Sequence, residues 1–162
     1  MAQPFYMSIT GESQGNITER AGEQEGHENE ILCQAFEHAI LVPSNEQSGV
    51  ATGKRVHKAM MITKAVDRSS AQLYSALVNN ERLTDVTIKH YRTDPTGTLQ
   101  NHFTVKLSNA VIISIRAWQP NYLNPATEQI SYTEEVSFAY QAIDWLWVDG
   151  GVEAMDEWLT TS

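Results

Sequence analysis

The sequence predicts a mainly β protein, an all-β barrel or sandwich with one α-helix that plugs one opening. Apolar and polar residues alternate along most of the chain, as they do in roughly seven or eight strands with one buried face. A single segment, residues 69–79, has apolar residues at helical spacing instead. Strand and helix patterns do not alternate with each other, which argues against a parallel βαβ sheet.

The first strand is predicted from the alternation of Phe5, Met7 and Ile9 with polar neighbours. Residues 11–29 are rich in Gly, Glu and Gln, and they predict a long loop with a short pairing around Ile17. Loops of this length inside compact domains are usually functional or mobile.

Residues 30–42 are apolar-leaning and could form a helix, but alternation through Leu32, Phe36 and Ile40 favours one long strand that Pro43 ends. Apolar residues also lie on its other face, which indicates that both faces are covered. A second polar loop follows at residues 44–53, and alternation resumes over residues 54–66.

The helix is predicted to begin at Ser69 as N-cap, with Gln72 as the capping-box partner. Its buried stripe is formed by Leu73, Ala76 and Leu77. Asn79 and Asn80 are suitable C-cap residues.

Further strand patterns follow the helix, separated by turn and loop sequences. Their predicted shared faces are Val86, Ile88 and His90; Phe103, Val105 and Leu107; Val111, Ile113 and Ile115; Ile130, Tyr132, Val136, Phe138 and Tyr140; and Ile143, Trp145 and Trp147. The last strand is predicted to end at residues 149–151. The tail then carries Val152, Met155, Trp158 and Leu159 at near-helical spacing, over too few residues to define a helix.

Composition narrows the class of protein. The chain of 162 residues is sized for a single domain, predicted to span 1–162. Its one cysteine cannot form an internal disulfide, and its net charge of −9, without a basic run, argues against nucleic-acid binding. The N-terminus lacks the features of a cleavable signal peptide, and no apolar run has the length of a membrane span. We therefore expect no membrane insertion and, for a protein that leaves the cell, another export route.

Known catalytic and cofactor-binding motifs are missing, so the sequence predicts no catalytic residue, no cofactor and no metal. The best metal-ligand candidates are His27, Glu28, Glu30 and His38. A solvated acidic loop explains them more simply. Cys33 with His38 or His57 is the best nucleophile candidate, but its apolar strand setting favours a buried, inert thiol.

Two clusters could bind small ligands. His57, beside Lys54, Arg55 and Lys58, could contact an anion, although an exposed strand face that forms salt bridges with a neighbour is the favoured interpretation. A sugar could stack on Trp145, Trp147 and Trp158. Tryptophans two residues apart on a strand more often build a core or an interface.

Several strands are apolar on both faces, namely at Ile31/Leu32, Leu41/Val42, Met60/Met61 and residues 111–115. A small barrel has only one interior, so outward apolar residues indicate contacts with other protein. Identical subunits joined by a repeated head-to-tail contact close into rings, and stacked rings make tubes.

The chain resembles the Hcp proteins, the tube proteins of bacterial type VI secretion systems. The most specific matches are T-G-K-R-x-H at residues 52–57 and K-x-x-D-x-S-S-x-x-L-Y at residues 64–74. The segments at residues 11–18, 25–31, 36–43, 48–77 and 91–107 and the tail with Trp158 are also similar. Ala71 stands where the family often has proline, and both residues suit the first turn of a helix.

The resemblance implies a β-barrel of two packed sheets with one flanking α-helix. It also implies a homohexameric ring with a central channel, and rings that stack into a tube. It implies injection from the cytoplasm by a contractile sheath, with spike and baseplate proteins as partners and small effector proteins carried in the channel. It also matches one segment to the family's extended loop, which reaches the adjacent ring: Ser44, Asn45, Glu46, Gln47, Ser48, Gly49, Val50, Ala51, Thr52 and Gly53.

Two other function classes remain open at the level of sequence. One is a monomeric small-ligand-binding β-barrel without catalysis, which predicts a monomer with a pocket. The other is an enzyme, which lacks any convergent set of acid, base and nucleophile. Oligomeric state distinguishes the ring from the monomeric barrel, whereas fold analogy does not.

Overall fold

The computed structural model describes residues 3–157, and strands account for most of its regular structure. The elements in chain order are β1 (Phe5–Gly11), β2 (Gly15–Asn16), β3 (Ile31–Glu37), β4 (Ile40–Leu41), β5 (Ser44–Asn45), β6 (Val50–Ala51), β7 (Val56–His57), β8 (Met60–Ala65), α1 (Ser70–Val78), β9 (Leu83–Thr93), β10 (Leu99–Ser108), β11 (Val111–Trp118), β12 (Thr133–Ala139), β13 (Ala142–Trp147) and β14 (Val152–Glu157). The predicted mainly β fold of packed sheets with one helix is confirmed.

One antiparallel sheet contains all the long strands, in the order β11-β12-β8-β3-β1-β9-β10-β13-β14, with β2 paired to β1. Among the described residues, no ladder joins β11 to β14, so the sheet stays open instead of closing by strand pairing. An isolated bridge between Leu83 and Ala110 brings the start of β9 close to the start of β11. The sheet therefore folds over on itself around one core and keeps two free edges.

The core lies on the inward face of β1, β9, β10 and β13, where residues in register form rows across the strands. The innermost row is aliphatic and consists of Ile9, Val86, Leu107 and Ile143. The next row consists of Met7, Ile88, Val105 and Trp145. The alternation predicted for these four strands is confirmed, because cross-strand partners in an antiparallel sheet share a face.

The helix begins after Ser69 and packs Leu73 and Ala76 into the core. Asn79 is the C-cap, as predicted. The predicted capping box is wrong, because the Ser69 side chain makes no cap hydrogen bond. Its hydroxyl instead donates a charge-assisted hydrogen bond to Asp67 Oδ1 at 2.6 Å, and its oxygen does not accept from the backbone amide of Gln72.

Two face assignments were wrong because β-bulges change which side chains point inward. A bulge between Cys33 and Ala35 leaves Ile31 and Cys33 buried and Leu32 exposed. The long strand predicted over residues 30–42 also ends at Glu37, and the following segment pairs elsewhere. In β11 a bulge between Ile112 and Ser114 buries Ile112 instead of its neighbours.

Two boundaries near the C-terminus also differ from the sequence prediction. Strand β12 begins at Thr133, so Ile130 and Tyr132 are exposed loop residues outside its inward face. The chain does not end its strands at residues 149–151: it reverses through Gly150 and Gly151, both at positive φ, and pairs with β13 as β14. Pairing with a neighbouring strand outweighs the near-helical spacing of the tail. Trp158 and Leu159 lie outside the described residues.

Replacing Leu73 with Asp should unfold or strongly destabilise the protein, because the change places a charge in a fully buried site. Chemical denaturation should show a loss of several kcal/mol, larger than the roughly 2–5 kcal/mol typical of a Leu→Ala core substitution. The matched control is Ala71→Asp, an exposed position in the first helical turn where a negative charge is tolerated. Equal stability of the two variants would contradict the burial of Leu73.

Candidate assembly surface

The segment after β3 forms a two-stranded arm, defined here as residues 40–57. Strand β4 pairs with β7 at its base, and β5 pairs with β6 nearer its tip. Between the two ladders, the amide of Thr52 donates to the carbonyl of Pro43 at 2.8 Å. The predicted loop at residues 44–53 is thus the outer half of a hairpin.

The tip of the arm is a closed turn built on Asn45. Its side-chain oxygen accepts hydrogen bonds from the amides of Gln47, at 2.9 Å, and Ser48, at 3.3 Å. Gly49 has a φ of 70°, which a residue without Cβ adopts without strain, and its amide donates to the Asn45 carbonyl. The tip therefore has a defined conformation although all ten of its residues, 44–53, are exposed.

The arm exposes aliphatic side chains to solvent along its length. Val50 near the tip is 61% exposed, and Val42 is 50% exposed. Ile40, Leu41 and Val56 at the base are also exposed. A contiguous run of exposed aliphatic residues on one projecting element is typical of a protein contact surface.

A series of polar side-chain contacts connects the base of the arm to β14. Asp156 Oδ2 lies 2.5 Å from Arg55 Nε and 2.7 Å from His57 Nε2. The other ring nitrogen of His57 lies 3.0 Å from the hydroxyl of Tyr140, which in turn lies 2.5 Å from His38 Nε2. This series of contacts connects the end of β3, the arm and the last strand, so it sets the direction in which the arm projects.

The ionisation of the side chains in this series follows from their contacts. The hydrogen bond from Arg55, with the neighbouring His57, lowers the pKa of Asp156. Burial and the nearby His57 lower the pKa of His38, and burial, with the charge of Asp156, raises the pKa of Tyr140. At neutral pH an ionised Asp156 therefore faces Arg55, while Tyr140 and His38 are neutral hydrogen-bonding groups.

The two ends of the sheet form further unsatisfied surface. Within residues 3–157, strand β14 pairs with β13 on one side only, and its Val152 and Met155 are 67% and 72% exposed. In the same part of the chain, strand β11 pairs with β12 on one side only, and its Ile113 is exposed. Free strand edges present unpaired backbone N–H and C=O groups, which favours association with another chain.

The K-x-x-D-x-S-S string has a structural explanation in a buried ion pair. Lys64 and Glu134 are cross-strand neighbours on β8 and β12, both fully buried, and the ammonium donates to Glu134 Oε1. The ammonium also donates to the Asp67 carboxylate and the Ser70 hydroxyl, each at 3.3 Å, and Ser70 donates to Glu134 Oε1 at 2.8 Å. The string therefore joins the start of the helix to two strands.

Of the four candidate metal ligands, the structure brings His27 and Glu30 into contact. His27 Nδ1 lies 3.2 Å from Glu30 Oε2, and the other oxygen of Glu30 pairs with Lys89. Glu28 accepts from the amide of Gly26, and His38 belongs to the series of contacts at the base of the arm. Within residues 3–157 no group of three or more His, Cys, Asp or Glu side chains could hold a metal ion.

The candidates for a nucleophile, an anion site and a sugar site have structural explanations. Cys33 is buried, and burial raises the pKa of its thiol to about 12, as an inert thiol requires. Arg55 forms a salt bridge with Asp156, as the favoured interpretation of this cluster predicted, and His57 contacts the same carboxylate from a buried position instead of an exposed strand face. Trp145 packs against the core and Trp147 lies under Arg92, while Trp158 is outside the described residues.

Sequence reasoning missed Glu134, Tyr140 and Asp156 as partners in these networks. For Glu134 a signal existed. It alternates in phase with Val136 and Phe138, and Lys64 does so with Met60 and Ile62, so each apolar face carried one charge of opposite sign. The partners of His57 gave no such signal, because they come from strands distant in sequence.

Comparison with known proteins identifies the family of this chain. The family model described as "Type VI secretion system effector, Hcp" matches residues 6–147. A "Major exported protein" from Pseudomonas aeruginosa is 40% identical, with 98% of this chain and 96% of that protein covered. The chain belongs to the Hcp family. Membership in this family supports a tube protein of type VI secretion, and hence a secreted protein.

Solved structures agree with the family assignment. A structure described as "Crystal structure of Hcp protein" has a TM-score of 0.92 and 32% identity, covering 99% of this chain and all of its own. The "Secreted protein Hcp3 from Pseudomonas aeruginosa" has a TM-score of 0.82 and 36% identity, covering 98% of this chain and all of its own.

Among residues 3–157, no helix has both the length and the apolar character that crossing a membrane requires.

Replacing Glu134 with Gln should reduce the free energy of unfolding by up to about 3–5 kcal/mol, because the buried Lys64 ammonium loses its buried counter-ion and keeps only the partly exposed Asp67 carboxylate, at 3.3 Å. Glu135→Gln is the matched control. It is the next residue and forms only a surface pair with Arg116, at 3.5 Å, where a change of about 0–1 kcal/mol is expected. Urea denaturation measures both. Similar small losses would mean that the Lys64–Glu134 pair is not buried.

Replacing Asp156 with Asn should loosen the base of the arm and speed tryptic cleavage after Lys54 and Lys58, with Asp149→Asn as the control. Acid should loosen the arm of the unmodified protein in the same way, and amide hydrogen exchange of residues 54–58 measures this at low pH, where trypsin is inactive. Since the pKa of Asp156 is lowered, its contribution to stability is present above the ordinary value of about 3.9 and is lost as pH falls through the folded value. Cleavage rates that respond equally to both substitutions would rule out Asp156 as the anchor.

Proposed function

We propose that this chain is a structural subunit of the type VI secretion inner tube and has no catalytic role. Six copies of the single domain form a ring, rings stack into a tube, and the tube is propelled from the cytoplasm out of the cell. Besides itself, its partners are the spike protein, the contractile sheath and the baseplate proteins. Small effector proteins travel in the ring channel, where the subunit acts as their chaperone.

The observation that carries this proposal is the presence of unlike exposed surfaces on one subunit. The free edge of β14 with Val152 and Met155 differs from the free edge of β11 with Ile113. A contact between two different surfaces is head-to-tail, and repeating it closes subunits into a ring where the rotation per subunit is a whole fraction of a full turn. The exposed apolar residues favour this assembly, because each contact removes them from water.

The arm supplies a third surface, separate from the sheet edges, and we assign it to stacking between rings. Residues 44–53 are exposed, yet the turn on Asn45 and the anchor at Asp156 hold them in a defined projection. Pre-ordering lowers the entropy that a contact must overcome when it forms. Val42 and Val50 are the apolar side chains that an adjacent ring would cover.

The test is the mass of the purified protein by light scattering behind a sizing column, followed by electron microscopy at high concentration. The expected mass is about six times 18.2 kDa, with stacked rings at high concentration. A variant in which residues 46–49 are replaced by Asn-Gly should keep the ring mass but lose stacking, since a two-residue turn preserves the hairpin. A monomer at tens of micromolar would overturn the proposal in favour of the ligand-binding barrel. Unfolding of the shortened variant would contradict an arm outside the core.

A further inference from the structure

One end of the core differs in chemistry from the rest. The rows described above change from aliphatic residues to a third row made of Phe5, His90, Phe103 and Trp147. His90 stacks on Phe5 with ring centroids 5.2 Å apart, and Phe36 meets His90 edge-on at 5.1 Å. The end of the interior is therefore bounded by aromatic rings and imidazoles, where aliphatic packing would serve stability equally well.

These rings do not fill the space between them. A cavity of 420 Å³ opens at this end, within the roughly 300–1,000 Å³ typical of small-ligand sites. Its lining consists of Gln3, Phe36, His38, His90, His102, Phe103, Val105 and Trp145. The lining contains no carboxylate, ammonium or guanidinium group.

His102 reaches the cavity through an irregularity in the sheet. It is the unpaired residue of a β-bulge between Asn101 and Phe103, a feature that re-aims side chains near functional sites. Its ring lies edge-on to Trp147, with centroids 5.8 Å apart, and its buried Nδ1 has no hydrogen-bond partner among the described residues. A buried polar atom without a partner is costly and calls for a ligand or water.

The imidazoles are neutral at physiological pH. Burial lowers the pKa of His38, His90 and His102, and the charge of Arg92 contributes at His102. A neutral imidazole offers one donor and one acceptor nitrogen. The guanidinium of Arg92, 5.0 Å above the Trp147 ring, adds positive charge nearby and disfavours cationic ligands.

We propose that this cavity is a binding site for an uncharged aromatic ring that carries a hydrogen-bond donor, of the phenol or indole type. The ring stacks among Phe36, Phe103 and Trp145, and its O–H or N–H donates to His102 Nδ1. The donor comes from a free small molecule or from a tyrosine or tryptophan side chain of a bound protein. This site goes beyond the proposed tube function and does not depend on assembly.

The test is isothermal titration calorimetry of the purified full chain with 2-naphthol and with 2-methoxynaphthalene, which has the same rings but cannot donate. Saturable binding of 2-naphthol is expected, about 3–10-fold tighter than 2-methoxynaphthalene, the difference that one hydrogen bond provides. A blocked Gly-Tyr-Gly peptide tests the protein side-chain source: binding supports it, and binding of 2-naphthol alone assigns the site to free small molecules.

The variant His102→Phe should abolish the preference for 2-naphthol. His27→Phe is the matched control and should behave as the unmodified protein, because His27 stacks on Tyr6 outside this cavity. A preference that survives His102→Phe, or that His27→Phe removes, would overturn the assignment. The comparison of the two probes on the unmodified protein needs no variant, and lack of saturable binding there also overturns the proposal.

Discussion

The buried ion pair of Lys64 and Glu134 is the interaction on which the arrangement of this molecule depends most. It lies in the same cross-strand series as the apolar pairs Met60–Phe138 and Ile62–Val136, so a buried charged pair follows two buried apolar pairs between β8 and β12. Neither group can be buried alone without a large desolvation cost. Since Ser70 also binds this pair, β8, β12 and the start of the helix adopt one relative position.

With that position established, the surfaces proposed for assembly follow from the topology of the sheet. The order of strands leaves β11 and β14 as free edges, and the end of β3 turns outward as the arm. The arm is not supported by a core of its own, so its direction depends on Asp156 reaching Arg55 and His57. Stability thus resides in the sheet and its ion pair, while the surfaces proposed for assembly lie on the exposed elements.

The same sheet produces a graded interior. Cross-strand register stacks its inward residues into rows, aliphatic around Ile9 and Leu107 and aromatic around His90 and Phe103. The aliphatic row is fully buried, whereas the rings at the open end leave a cavity. The buried aliphatic row and the cavity proposed as a binding site therefore lie at opposite ends of one continuous core.

Alternation by itself determined the mainly β class, the inward faces of β1, β9 and β10, and the single helix with Leu73 at its centre, because these depend on local periodicity. The motif strings indicated the family. Only the tertiary structure decided the faces of β3 and β11, the strand at residues 152–157 and the partners of His57. Bulges shift a face by one residue, and pairing joins segments distant in the chain, so neither leaves a periodic trace. The cavity likewise arises only where register brings His90 and Phe103 together.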